Sequence, residues 1–369
     1  MRSVGVHHWP VIDRLLASAY RIPTAEPESD GTFEWDSTTL VLVELSAGDA
    51  IGIGYTYADV ATASVIQEHL AGAILGRDPM AVPAAWEAMR HAVRNVGRPG
   101  IASAAIAAAD NAFWDLKAHL LGVPLVTLLG AVRDSVPVYG SGGFTSYSLD
   151  QLREQLGAWV KDGIRRVKMK VGREPTADVE RVRVAREAIG GTAELYVDAN
   201  GAYSRKQALA FAERFAGHGV SWFEEPVSSN DLDGMRLIRD RAPPGMDIAG
   251  GEYGYDLVYF RRMLEGGAVD VLQADATRCA GMTEFLRVGA LCAAHGIPLS
   301  AHTAPALHVH VCCALPNVRH IEYFADHVRI EQMLFDGARV PIDGSLRPDL
   351  SRPGLGLELK RGDAARYAV

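Results

Sequence analysis

The sequence predicts an α/β chain in which a barrel of eight β-strands and intervening helices follows a smaller α+β unit. Three observations predict it. From about Val136, short apolar runs alternate with helical stretches, the rhythm of βαβ units around a parallel sheet. Before that point strand candidates come first and helical periodicity follows, the segregated order of an α+β unit. The 369 residues also suit two domains of about 100–200 residues each, or one barrel with an addition.

Taken in order, Thr38–Leu45 is rich in β-branched residues, and Ile51–Tyr57 follows a turn at Gly48-Asp49. Between the N-terminal strand and these lies Pro23–Trp35, a polar segment with Glu26, Glu28, Asp30 and Glu34, expected to be a mobile loop. Val60 to about Leu121 reads as helical, and the Ala-rich stretch Gly100–Gly122 stops at Gly122-Val123-Pro124. Eight strand candidates follow: VPVYGSG, RRVKMKVG, ELYVDANG, VSWFEEPV, DIAGGE, VDVLQAD, IPLSAHT and HIEYF. Leu149–Lys161, Asp178–Ile189 and Ser204–Ala216 are among the helices between them. The tail from about Glu331 is rich in Gly and Pro and loses this rhythm. The expected division is residues 1–130 as the α+β unit, 131–330 as the barrel, and 331–369 as a segment returning to the first unit.

Composition narrows the function. Apolar residues make up 48% of the chain, enough for sizeable cores, and the net charge of −8 argues against a general nucleic-acid binder. No apolar run is long enough for a membrane helix, and MRSVGVHHWPVIDRLL lacks the apolar core of a signal peptide. Cys279, Cys292, Cys312 and Cys313 show no CxxC spacing, so reduced, buried thiols in a cytoplasmic protein are expected rather than a disulfide scaffold or zinc ribbon. Gly140-Ser141-Gly142-Gly143 does not fit GxGxxG, and neither a Walker A pattern nor a GxSxG elbow is present.

The chemistry lies at the strand ends. Successive strand candidates carry Lys168 and Lys170, Asp198, Glu224, Glu252, Asp275, His302 and Glu322. These positions recur every 20 to 30 residues, about one βα unit. They should converge on the C-terminal rim of the barrel, where active sites of this architecture lie. Seven successive strands ending this way are hard to ascribe to solubility, because the segments otherwise read as buried. Asp198, Glu224 and Glu252 form a hard oxygen-donor set of the kind that suits Mg²⁺; taken singly, each could be a surface acid. Lys168 and Lys170 share one face of their strand, so each ammonium should depress the pKa of the other and a base could operate near neutral pH. A solvated edge strand would give the same KxK pattern. Asp275 would orient His302 and raise its pKa. His308, His310 and Cys279 read as structural.

With these residues in place, the chain resembles the enolase superfamily, and within it the mandelate racemase subgroup. AAADNAFWDLK (107–117) and PLVTLLG (124–130) resemble the segment joining the capping domain of that family to its barrel. VKMKVG, VDANG, WFEEP, GGE, LQAD, SAHT and IEY resemble its active-site strands, in order and over nearly the whole chain. The resemblance implies a modified TIM barrel of (β/α)7β type with an N-terminal α+β capping domain. It implies Mg²⁺ on Asp198, Glu224 and Glu252, and Lys170 as base on one face of a small-molecule carboxylate substrate. Lys168 would contact the substrate carboxylate and tune Lys170. His302, paired with Asp275, would act on the opposite face, and Glu322 would hydrogen-bond the carboxylate as charge develops. Pro23–Trp35 would be the capping loop that closes the site.

One departure is visible: Thr277 and then Arg278-Cys279-Ala280-Gly281 follow Asp275, where the family often has a Gly-Gly pair. Dehydration of an acid sugar is the reaction expected first. Racemisation, epimerisation or lactone cycloisomerisation by the same residues is the alternative, and a barrel with a vestigial site is disfavoured because both bases and all three ligands are present. A homo-oligomer is expected, with no nucleic-acid or membrane partner.

Overall fold

The computed structural model describes residues 9–369. Residues 1–8, part of the stretch read as lacking a signal sequence and of the first expected domain, lie outside the described residues. Three antiparallel strands open the chain: β1 (Arg14–Ser29), β2 (Glu34–Ala47) and β3 (Ala50–Tyr57). Helix Val82–Ala92 packs on helix Ile101–Leu121, which in turn packs against β2 and β3. The longer helix ends at Gly122, whose φ of 66° supplies the left-handed residue that commonly terminates a helix. It lies so close to β3 that a Cβ on Gly54 would come within 2.3 Å of the Ala108 carbonyl oxygen. Only glycine permits that approach.

Eight parallel strands follow: β4 (Val136–Gly142), β5 (Arg166–Lys170), β6 (Glu194–Asp198), β7 (Val220–Glu224), β8 (Asp247–Gly250), β9 (Val271–Ala274), β10 (Leu299–Ala301) and β11 (Val318–Phe324). Each pairs with the next, and β11 pairs with β4, so the sheet closes on itself. Helices Leu149–Lys161, Pro175–Ile189 and Arg205–Ala216 lie where the sequence places them, the second starting three residues earlier on Pro175. Proline suits that first turn, because its missing N–H would have no partner there. Ser148 and Ser204 cap the other two through capping boxes with Gln151 and Gln207.

The final strand is followed by helix Ala325–Leu334, and the remaining chain runs back along the molecule. Ser345–Leu346 pairs with β4, Ala368 bridges Tyr20 of β1, and Arg361 forms an ion pair with Glu44 of β2.

The first unit is pinned to the barrel by buried polar side chains of helix Ile101–Leu121. Asp110 accepts from the backbone N and Oγ1 of Thr283, at 2.8 and 2.6 Å. Asn111 donates to the Ala276 carbonyl and accepts from the Met282 N–H. Tyr55 of β3 donates to Glu331 on helix Ala325–Leu334. Among the described residues no helix is long and apolar enough to cross a membrane.

Candidate active site

Side chains alternate along each barrel strand, so every second residue points to the axis. Tyr139, Tyr196 and Trp222 meet there and form an aromatic floor, with the Tyr196 and Trp222 rings stacked 5.1 Å apart. One step along the same strands, toward their C-terminal ends, stand Asp198 and Glu224. Trp222 donates to Glu224 Oε2 at 2.9 Å, and Lys168 Nζ lies 5.3 Å over the Tyr139 ring. The floor therefore supports the polar layer directly.

All eight singled-out residues converge in that layer and are buried. Asp198, Glu224 and Glu252 each offer a carboxylate oxygen, all within 4.8 Å of one another. Glu252 Oε2 is buried and faces His302 Nε2. Burial, reinforced by Asp198, pushes the Glu224 carboxyl up to about 8. Three buried hard-oxygen donors crowded this closely fit a divalent cation.

Lys168 Nζ lies 2.5 Å from Glu224 Oε1, 2.8 Å from Glu322 Oε1 and 3.5 Å from Asp198 Oδ2. Lys170 Nζ lies 2.5 Å from Asp198 Oδ2 and 3.1 Å from Asn200 Oδ1. This corrects the expected lysine chemistry. Burial does work to lower both lysines, but carboxylates outweigh it: Glu224 and Glu322 at Lys168, and Asp198 at Lys170. Both ammoniums are held above the ordinary lysine range, and the mutual repulsion expected from KxK is the smaller effect.

His302 Nδ1 lies 2.9 Å from Asp275 Oδ2, and its Nε2 lies 3.1 Å from Glu252 Oε2. Burial lowers His302, yet Glu252, Glu322 and the Asp275 hydrogen bond together raise it to about 10. Burial would raise Asp275, but its bond to His302 holds it well below the usual carboxylate range. Glu322, next to Lys168, is likewise brought down to about 2 against the effect of burial. In the closed ring, β5 and β10 are separated by β11 and β4 one way and by β6 to β9 the other. Lys170 and His302 thus reach one cavity of about 540 Å³ from different arcs of the barrel.

The wall facing this rim comes from the first unit and corrects the reading of Pro23–Trp35. β1 and β2 form a hairpin that continues to Ser29 and resumes at Glu34, with a register irregularity between Pro23 and Glu28. The polar residues that suggested a mobile loop bond to one another and to the barrel. Trp35 donates to Glu28, Asp30 Oδ1 accepts from the N–H groups of Thr32 and Phe33, and Ser29 meets Thr145 at 2.6 Å. Gly31 at the tip sits so tightly that a Cβ would come within 2.4 Å of the Ala199 carbonyl oxygen.

Several site residues went unassigned in the sequence. Asn200 follows Asp198 by two, has a left-handed φ of 45°, and hydrogen-bonds both Asp198 and Lys170. Its place directly after a strand-end acid was the available signal. Thr277 and Arg278 explain the departure after Asp275: Thr277 donates twice to Asp275 at 2.7 Å, and Arg278 lies 3.8 Å from Asp275 and 3.6 Å from Glu252. Ala280 adopts φ 66°, a glycine-like backbone, and its carbonyl is held by Trp86. His327, stacked on Tyr57, comes from beyond the last barrel strand, and no motif marks it. Glu225, at φ 36°, turns away into a neighbouring cavity. Gln273 lies one layer down near Tyr139, and His308 supports the loop after β9 by accepting from the Ala276 N–H at 2.9 Å.

The model for the mandelate racemase / muconate lactonizing enzyme N-terminal domain matches residues 23–130, and the enolase C-terminal domain-like model matches residues 151–364. The chain belongs to the mandelate racemase/muconate lactonizing enzyme family of the enolase superfamily. A family-like protein from Rubrobacter xylanophilus superposes with a TM-score of 0.96 at 56% identity, over 98% of this chain and 100% of that one. The L-talarate/galactarate dehydratase of Salmonella typhimurium LT2, solved with Mg and L-lyxarohydroxamate, superposes with a TM-score of 0.89 at 30% identity. That match covers 100% of this chain and 95% of the other. The 3,6-anhydro-alpha-L-galactonate cycloisomerase of Streptomyces coelicolor is 32% identical over 97% of this chain and 100% of its own length.

Proposed function

We propose that this family member is a Mg²⁺-dependent enzyme that removes the proton α to a carboxylate and dehydrates an acid sugar to a 2-keto-3-deoxy acid. The observation that carries the proposal is the convergence of three carboxylates, two lysines and the His302–Asp275 pair around one cavity. Asp198, Glu224 and Glu252 would hold the metal. Bound there, Mg²⁺ supplies positive charge to the substrate carboxylate.

The remaining steps belong to the protein. An α-proton is weakly acidic because its removal places further negative charge on the carboxylate. Lys168, paired with Glu322 at 2.8 Å, brings the positive charge that meets it, and Glu322 would hydrogen-bond the same oxygens once it has taken up a proton. Lys170 Nζ takes the proton from the α-carbon. Its base form requires that Asp198, now paired with it, be engaged elsewhere, as a metal ligand would be. His302, oriented by Asp275, donates a proton from the opposite face to the β-hydroxyl, which leaves as water. The resulting enol tautomerises to the 2-keto acid. Should the β-carbon offer no leaving group, His302 gives its proton to the opposite face of the α-carbon, Lys170 keeps the one it removed, and the product is an isomer. The cycloisomerase relative supports keeping that second reading.

Incubation of an acid-sugar library with protein and Mg²⁺ in deuterated water tests both readings. Dehydration gives a 2-keto acid that reacts with semicarbazide, whereas isomerisation gives deuterium at the α-carbon without loss of water. Neither product from any acid sugar would remove the proposal. Cytoplasmic placement and a homo-oligomeric state are part of the same proposal. The four cysteines, all free and buried, support a reducing compartment.

A further inference from the structure

We infer that the cavity selects acid sugars whose far end is uncharged, so that aldonates are substrates and aldarates, with a second carboxylate, are not. The inference rests on the dehydratase reading and deepens it. Among the described residues lining the cavity, the cations Lys170, Arg278 and His302 all stand at the reacting end. Each lies within 4 Å of a proposed metal ligand: Lys170 at 2.5 Å from Asp198, Arg278 at 3.6 Å and His302 at 3.1 Å from Glu252. There they face Asp198, Glu252 and Asp275.

Among the described residues, the opposite wall, contributed by the β1–β2 hairpin and the end of β3, brings no cation. Its charged members are Asp30 and Asp59. The bonds of the hairpin turn all go to Asp30 Oδ1, and Asp30 itself lines the cavity. The same lining includes the hydroxyl-bearing Ser37, Thr39 and Tyr57, suited to a neutral polyol chain. His327 adds no charge, because burial holds its ring well below the usual histidine range. A distal carboxylate in this wall would face two carboxylates and no counter-ion. Like charges a few Å apart in a partly buried site separate two ligands by about 10- to 100-fold.

The test compares kcat/KM for configurationally matched aldonate and aldarate pairs with Mg²⁺, read as 2-keto acid formation. The same pairs are titrated calorimetrically into Lys170→Ala with Mg²⁺, which reads binding apart from turnover. We expect aldonates to be favoured by at least about tenfold in both measurements. Asp30→Asn, which keeps the Oδ1 acceptor of the turn, and the exposed Asp59→Asn should each raise the relative kcat/KM for the aldarate. Equal or better use of aldarates, or a ratio unmoved by both variants, overturns the inference while leaving the dehydratase reading intact. If no acid of either class binds or reacts, both readings fall together.

Discussion

Glu331 tests how the first unit is held on the barrel. It is buried, accepts a hydrogen bond from the Tyr55 hydroxyl at 2.6 Å and one from the Ala306 N–H at 3.1 Å. Burial pushes its carboxyl from 4.5 up to about 8, and the two hydrogen bonds offset only part of this. The folded protein thus keeps a proton that the unfolded chain has lost between these two values. Stability from this group is full below pH 4.5, falls as pH rises through the interval, and is flat above about 8, where both states are ionised. At about 1.4 kcal/mol per pH unit, the window from about pH 5.5 to 8 should cost about 3 kcal/mol. Glu331→Gln is neutral throughout and removes the slope. Urea titrations of both proteins across this window, with equal m-values, give the difference directly. Asp110 and Asp115, whose carboxyls burial raises to about 7 and about 6, contribute with the same sign in both proteins and cancel in that difference. Stability curves that run parallel with pH would refute the reasoning.

Three further outcomes are expected. Lys170→Ala and His302→Asn should each reduce turnover by at least about 100-fold while circular dichroism stays unchanged, and near-normal rates in either would remove its assigned role. Glu252→Gln should weaken Mg²⁺ binding by at least about tenfold in calorimetry; unchanged affinity would show that the cation, if bound, sits elsewhere. Gly31→Ala should raise KM by at least about tenfold, because its Cβ would come within 2.4 Å of the Ala199 carbonyl oxygen and must lift the hairpin tip. A normal KM in that variant would mean that the tip does not bound the substrate.

The barrel and its polar rim were legible because both follow from periodicity. Strand-end positions recur once per βα unit, and alternation on each strand decides which side chains reach the axis, so Lys168, Lys170, Asp198 and Glu224 could be placed together from spacing alone. The state of the lysines was not legible. KxK shows two cations two residues apart, while the carboxylates that outweigh their repulsion come from β6, β7 and β11. The hairpin was misread for a related reason. Polar composition signals solvent exposure unless partners are known, and the partners of Ser29 and Glu28 lie 116 and 7 residues away. Asn200 and Arg278 were visible as neighbours of assigned residues but not as members of the site. His327 reaches the cavity through tertiary packing that no local pattern encodes.

The β1–β2 hairpin reaches the cavity from a different layer of the molecule than the strands that bear the lysines, the acids and His302. Its tip is a short run of turn residues bonded to one another and to Thr145 after β4. Mutations there can alter what is recognised without moving any group that handles a proton. A lineage built this way can try new diets at little risk to its reaction, and a laboratory wishing to redirect the enzyme should randomise the stretch from Asp30 to Thr39 before touching the barrel.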